Sequence, residues 1–166
     1  MRDPIRLSLL LACATLLAAC AAAGLPGLAP GQSSEAQVRQ ALGEPARVFD
    51  LPDGSRQLVF PKGPEGVRTY MAFVSPAGRL DRVEQVLTEE QFRRIARGAS
   101  TRADVERLIG PPWRVMDFPN KRQVAWDYVF QDSWGYTVDF SVMFDERGLV
   151  AELASVRRDF GDGGMH

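Results

Sequence analysis

The stretch ALGEPARVFDLP, residues 41–52, returns later in the chain as LIGPPWRVMDFP, residues 108–119. When the comparison is extended without gaps, residues 31–52 and 98–119 agree at ten of 22 positions. Self-similarity at a fixed offset is the sequence signature of a duplicated structural unit. The sequence therefore predicts two copies of one unit in this chain.

The shared residues predict a short helix in each copy. Ser34 with Gln37, and Thr101 with Asp104, have the spacing of a capping box. In this motif a hydroxyl accepts a hydrogen bond from a backbone N–H, and the polar residue three positions later reaches back. Apolar residues then follow at i, i+3 and i+4 in both copies, which favours a helix with one buried face.

Each predicted helix ends abruptly. Gly43 and Gly110 stand where a helix takes a left-handed C-terminal residue, and Pro45 and Pro112 forbid continuation. The Arg-Val pair that follows in each copy begins extended chain. Each copy is thus a short helix, a stop and a strand.

Alternating apolar and polar residues predict an antiparallel sheet after each helix. The alternation is clearest over residues 124–130 and 136–144, and turn sequences at 75–78 and 145–148 indicate hairpins. Thr88 to Gln91 resembles a further capping box, which predicts a helix through about Arg97 with Phe92 and Ile95 facing inward. We therefore predict an α+β fold made of a tandem repeat, with helices on one face of a continuous sheet.

The N-terminus has the features of a lipoprotein leader. A short apolar run ends in Leu17-Ala18-Ala19-Cys20, typical of the lipobox in which a cysteine receives a diacylglycerol group. The alternative is an ordinary signal peptide with an incidental cysteine. We predict a signal peptide at 1–19, lipidated Cys20 and a flexible tether at 20–32. The repeats follow at 33–87 and 88–159, with a flexible tail at 160–166.

The amino-acid composition narrows the classes of function that this protein can have. Removal of the leader leaves one cysteine, so no disulfide is expected within the mature chain. It also leaves 18 basic and 20 acidic residues, and a nucleic-acid partner would call for a basic patch. Ala21 is not the aspartate typical of inner-membrane retention, which favours the outer membrane, with the body facing the periplasm.

The sequence gives little support for catalysis. The single histidine is the final residue, His166, and Cys20 is expected to be acylated, so the usual nucleophile and base are missing. Glu89-Glu90 and Asp145-Glu146 are interpreted as a helix first turn and a hairpin turn. We predict a protein that is not an enzyme, with no metal, no cofactor and no small-molecule substrate.

Several residues together resemble the SmpA/OmlA (BamE-like) outer-membrane lipoprotein family. The pattern covers roughly residues 92–155 well and 31–87 more loosely, and comprises Ile95, Gly98, Val105, Ile109-Gly110, Pro112, Trp126, Tyr128, Phe144 and Gly148. The resemblance implies an accessory role in the machinery that inserts β-barrel proteins. The tandem form is similar in architecture to β-lactamase inhibitory protein, whose two repeats form a concave sheet.

We predict that the sheet face opposite the helices binds a protein partner. The candidate residues are Arg68, Tyr70, Trp134, Thr137, Asp139 and Ser141, with Gln57, Gln123 and Asp127 beside them. Two hypotheses follow. The protein is a scaffold in envelope assembly that binds the β-barrel assembly machinery, or it inhibits a secreted or periplasmic enzyme through the concave sheet.

Overall fold

The structure is a computed structural model that describes residues 25, 27–63 and 66–158. The predicted leader, Cys20 and the tail at 160–166 lie outside the described residues. Within them the chain forms two units of similar content, unit 1 at residues 25–87 and unit 2 at residues 88–158. Unit 1 contains α1 (Glu35–Leu42), β1 (Arg47–Asp50), β2 (Arg56–Pro61), β3 (Thr69–Val74) and β4 (Leu80–Gln85). Unit 2 contains α2 (Glu89–Phe92), α3 (Arg102–Ile109), β5 (Arg114–Phe118), a 3-10 turn (Pro119–Lys121), β6 (Gln123–Gln131), β7 (Thr137–Phe144) and β8 (Val150–Arg157).

The predicted helix boundaries are confirmed at α1 and α3. Both begin with a complete capping box, formed by Ser34 and Gln37 in α1 and by Thr101 and Asp104 in α3. Both end at a glycine with positive φ, as predicted. The conformation is not the left-handed helical one, however, because ψ is −166° and −178° at the two glycines. The helix that was predicted to continue to Arg97 is wrong in length, since α2 ends at Phe92.

Each unit contributes one antiparallel meander. Sheet 1 has the strand order β1-β2-β3-β4, and sheet 2 has the order β5-β6-β7-β8. This confirms the tandem α+β architecture. The expectation of one continuous sheet is wrong, because the described strands pair only within their own sheet.

The helix α3 packs between the two sheets. Val105 and Ile109 on one side of α3 belong to the core of unit 2, which covers one face of sheet 2. The other side of α3 and its end at Gly110 approach Val59 and Thr69 of sheet 1. The opposite face of sheet 1 is covered by α1, whose Val38 is fully buried. The layers therefore follow the order α1, sheet 1, α3, sheet 2.

The segment before α1 is part of unit 1. Leu28 is buried and Leu25 packs against the same core, as Phe92 and Ile95 do in unit 2. The hydrogen bonds repeat as well: Ser33 Oγ accepts from the Ala29 N–H and Ser100 Oγ from the Ala96 N–H, each at 2.9 Å. We predicted a flexible tether through residue 32, and the structure differs from Leu25 onward. Glycine and proline in this segment concealed a packed counterpart of residues 92–100.

None of the helices in the described part of the chain is long and apolar enough to cross a membrane.

Candidate partner-binding surface

Sheet 2 has one covered face and one open face. Along β7 the burial alternates strictly, with Val138, Phe140, Val142 and Phe144 in the core of unit 2. The intervening side chains point to the other face, on which the described chain places no helix. We call this surface the open face. Strand register assigns to it Arg114, Met116, Phe118, Gln123, Ala125, Asp127, Val129, Gln131, Thr137, Asp139, Ser141, Met143, Glu152, Ala154 and Val156.

Asp127 lies at the centre of the open face. Its Oδ2 accepts hydrogen bonds from Arg114 Nε at 2.9 Å and Nη2 at 2.8 Å, and its Oδ1 accepts from Ser141 Oγ at 2.7 Å. The carboxylate is largely buried, and a buried charge requires such partners. These bonds tie β5, β6 and β7 together, so the centre of the surface is a fixed polar cluster.

Apolar side chains flank this cluster. Val156 on β8 is 65% exposed and Met116 on β5 is 37% exposed. Near Val156, Arg158 donates to both carboxylate oxygens of Asp139, at 3.0 and 2.8 Å. Protein interfaces combine apolar contact area with polar groups of this kind, although their usual arrangement is an apolar centre with a polar rim.

The Trp134 side chain projects into solvent at the end of sheet 2. Its side chain is 80% exposed, and the turn that carries it is fixed by Asp132. Asp132 Oδ1 accepts from the N–H groups of Trp134 and Tyr136, each at 2.9 Å, and Oδ2 accepts from Arg157. A large aromatic side chain on a fixed turn loses little conformational entropy on binding.

The electrostatics of Asp132 follow from these contacts. Burial opposes ionisation, but the N–H groups of Tyr136 and Trp134 and the charge of Arg157 outweigh it. They hold the pKa of the Asp132 carboxyl below its ordinary value of 3.8. Arg157 also stacks over the Tyr136 ring at 4.8 Å, so one ionised carboxylate organises the whole turn.

The structure divides the six predicted binding residues. Thr137, Asp139 and Ser141 lie together on the open face, and Trp134 lies in the β6–β7 turn at its end. Arg68 is an exposed residue of the β2–β3 loop in unit 1. Tyr70 packs against the core beneath α1, so its expected placement with the polar face is wrong.

The three polar residues expected beside these six also separate, with Asp127 on the open face as described above. Gln123 is half-buried on the open face, but Gln57 is buried and donates to the Arg107 carbonyl of α3 at 2.6 Å. Gln57 therefore joins the two units and is inaccessible to a partner. At this point α3 lies against the inner face of sheet 1.

Sequence reasoning missed the apolar half of the surface. Met116 and Val156 were not singled out, and Arg114 was interpreted only as the start of a strand. The alternation in β5 and β8 is weak, because β8 is mostly exposed on both faces. The signal that could have found them is the antiparallel register with β6 and β7, which requires the pairing to be known.

The described residues contain no group of three or more His, Cys, Asp or Glu side chains that could hold a metal ion.

Comparison with known proteins identifies unit 2. Residues 84–153 match the family model described as the outer membrane protein assembly factor BamE domain. Unit 2 is the part of the chain that matches the BamE domain model. The match begins at the end of β4 and ends within β8, so it contains the Trp134 turn and most of the open face but stops before Ala154 and Val156. It confirms the resemblance to the SmpA/OmlA family, whereas the likeness of unit 1 is suggested only by its matching sheet.

Two further comparisons complete the picture. The chain is similar to the crystal structure of a DUF4309 family protein (YjgB) from Bacillus subtilis subsp. subtilis str. 168, with 18% sequence identity and a TM-score of 0.31. That similarity covers 80% of this chain and 84% of the other. No curated protein matches the chain.

Proposed function

We propose that this protein is a non-enzymatic accessory lipoprotein of the outer membrane, anchored through Cys20 with its body in the periplasm. In this role it binds a protein partner, a component of the β-barrel assembly machinery, through the open face and Trp134. The observation that carries the proposal is the coincidence of two features. The BamE domain at 84–153 is the unit whose sheet keeps one face open.

The chemistry of the open face supports a protein partner. Two of its carboxylates are already paired within the protein, Asp127 with Arg114 and Asp139 with Arg158, so a partner can cover these two without desolvating an unpaired charge. The exposed Val156 and Met116 supply apolar area, and Trp134 supplies an anchor of the kind that dominates interface energetics.

The alternative, inhibition of a secreted enzyme through a concave sheet, has less support. That hypothesis requires an accessible surface running over both sheets. The contacts of Gln57 with Arg107, and of Gly110 with Val59, place α3 against the inner face of sheet 1 and interrupt such a surface. We therefore favour the scaffold function.

A pull-down from cross-linked envelopes tests the proposal. We expect the wild-type protein to recover barrel-assembly components, and the double variant Met116→Lys/Val156→Lys to lose them. Val115→Lys is the matched control, because Val115 is 55% exposed on the other face of sheet 2. Reproducible absence of those components from the wild-type sample would count against the assembly role. Recovery by the double variant would instead exclude the open face.

Mass spectrometry of the mature N-terminus tests the anchor separately. We expect the chain to begin at an acylated Cys20. An unmodified cysteine would remove the anchor from the proposal without affecting the partner-binding surface.

A further inference from the structure

The folded body of this protein begins close to the predicted lipid. Leu25 packs against the core of unit 1, and Leu28 in the same segment is 7% exposed. The Leu28 N–H donates to the Leu25 carbonyl at 3.1 Å, so the segment is held from Leu25 onward. Only residues 21–24 separate Leu25 from Cys20.

Covalent geometry limits how far the body can stand from the bilayer. One fully extended residue spans at most about 3.5 Å, so the five steps from Cys20 to Leu25 reach no more than about 18 Å. A diacylglycerol-modified cysteine lies at the level of the lipid headgroups. Leu25 is therefore restricted to the immediate vicinity of the membrane surface.

The position of Leu25 among the layers determines which side of the body is held near the membrane surface. Leu25 and Leu28 belong to the core beneath α1, on the outer face of sheet 1. Sheet 1, α3 and sheet 2 follow in order beyond it. With neighbouring layers about 10 Å apart, the open face lies on the order of 30 Å from α1.

We infer that the α1 side of unit 1 lies against the lipid headgroups and that the open face is presented on the far side of the body. The partner of the α1 side is thus a membrane surface. This inference rests on the proposed lipid anchor at Cys20. It adds an orientation that the anchor alone does not give, because a long tether would let the body rotate freely.

The charges around α1 are compatible with this contact. Glu35 pairs with Arg39 at 2.9 Å and with Arg56, and Glu44 pairs with Arg39 at 2.7 Å. The carboxylates of Glu35 and Glu44, in α1 and just after it, are therefore paired within the protein. Exposed positions between them, such as Ala36 and Gln40, are uncharged. Anionic headgroups meet no unpaired carboxylate of α1 here.

Fluorescence quenching from the membrane surface tests the orientation. The mature protein has one cysteine, which is acylated, so an introduced cysteine takes the label uniquely. Gln40→Cys places a label on α1 and Ala154→Cys places one on the open face, both at exposed positions. The labelled lipoprotein is reconstituted in phosphatidylethanolamine and phosphatidylglycerol vesicles that carry a headgroup-attached quencher. We expect several-fold stronger quenching at position 40.

A linker insertion provides the control. Roughly 15 Gly and Ser residues placed between Ala22 and Ala23 add about 50 Å of reach, so the difference between the two labels should collapse. Equal quenching in the protein of natural length, or stronger quenching at position 154, overturns the orientation while leaving the anchor intact. Failure to bind vesicles, with an unmodified Cys20 in the mass spectrum, overturns the anchor and the orientation together.

Discussion

Gln57 of sheet 1 donates a hydrogen bond to the backbone carbonyl of Arg107 in α3, with 2.6 Å between Nε2 and the oxygen. The helix leaves this carbonyl without an intrahelical partner, because the residue four positions later is Pro111, which has no N–H. A side chain of one unit thus satisfies the end of a helix in the other. Pro111, which directly follows the helix-ending Gly110, thus creates the need for the contact.

Replacing Gln57 should therefore loosen the junction between the units. We expect Gln57→Leu to lower the free energy of unfolding by about 1–3 kcal/mol, because a buried carbonyl loses its donor. Urea denaturation measures the change. Gln123→Leu is the matched control at the corresponding position of unit 2, which is half-buried on the open face, and it should have a much smaller effect. Equal losses in the two variants would contradict this account.

The two helix-ending glycines provide a second test of the packing. Gly43 and Gly110 have nearly the same backbone, with φ of 89° and 86°, and alanine at either should cost about 1–3 kcal/mol in strain. A Cβ on Gly43 meets open space, whereas one on Gly110 would lie 3.0 Å from Val59 and Thr69 side-chain atoms. We expect Gly110→Ala to be the more destabilising by about a further 1–3 kcal/mol of overpacking. Thermal or urea unfolding of the pair gives the difference, and identical losses would refute close approach of α3 to sheet 1.

The Asp132 turn should make the stability of the fold depend on pH in the acid range. Its folded pKa lies below 3.8, so its stabilising effect is fully present above that value and is lost as pH falls through the folded pKa. Asp132→Asn keeps the shape but loses the ion pair with Arg157. The stability difference between wild type and variant should therefore be constant near neutral pH and shrink below about pH 4. Urea midpoints across this range measure it, and a pH-independent difference would contradict the assigned cause.

Trp134 should matter for binding and hardly at all for folding. At 80% exposure it contributes little to the core, so Trp134→Ala is expected to change the free energy of unfolding by less than about 0.5 kcal/mol. Loss of an interface anchor should weaken partner binding by about 2 kcal/mol or more, which is roughly 30-fold in Kd. Titration with the purified partner measures this value. Unchanged affinity would remove Trp134 from the interface.

Trp126→Ala supplies the contrast in the same domain. Trp126 packs edge-on to Phe144 at 5.0 Å between ring centroids, against the core of unit 2. Its truncation should cost about 3 kcal/mol or more of stability. A folded Trp126 variant should bind the partner normally, since its side chain faces away from the open face.

Local signals in the sequence were sufficient for the elements of this fold. Ser34 and Thr101 begin helices through bonds made within four residues, and the glycine and proline after each helix end it by backbone geometry alone. The duplication therefore predicted two similar units, and strand alternation correctly placed Thr137, Asp139 and Ser141 on the face opposite the helices. The segment at 25–32 was missed because its packing depends on two leucines spaced among residues that favour flexible chain.

Only the tertiary structure decided that the two copies are unequal. The sequence fixes which residues alternate along a strand, but not what covers each face, because that depends on contacts between residues some 50 positions apart, such as Gln57 and Arg107. Packing of α3 between the sheets buries the inner face of sheet 1 and leaves sheet 2 with the open one. Two similar patterns thus produce one unit covered on both faces by helices and one unit that keeps an open face.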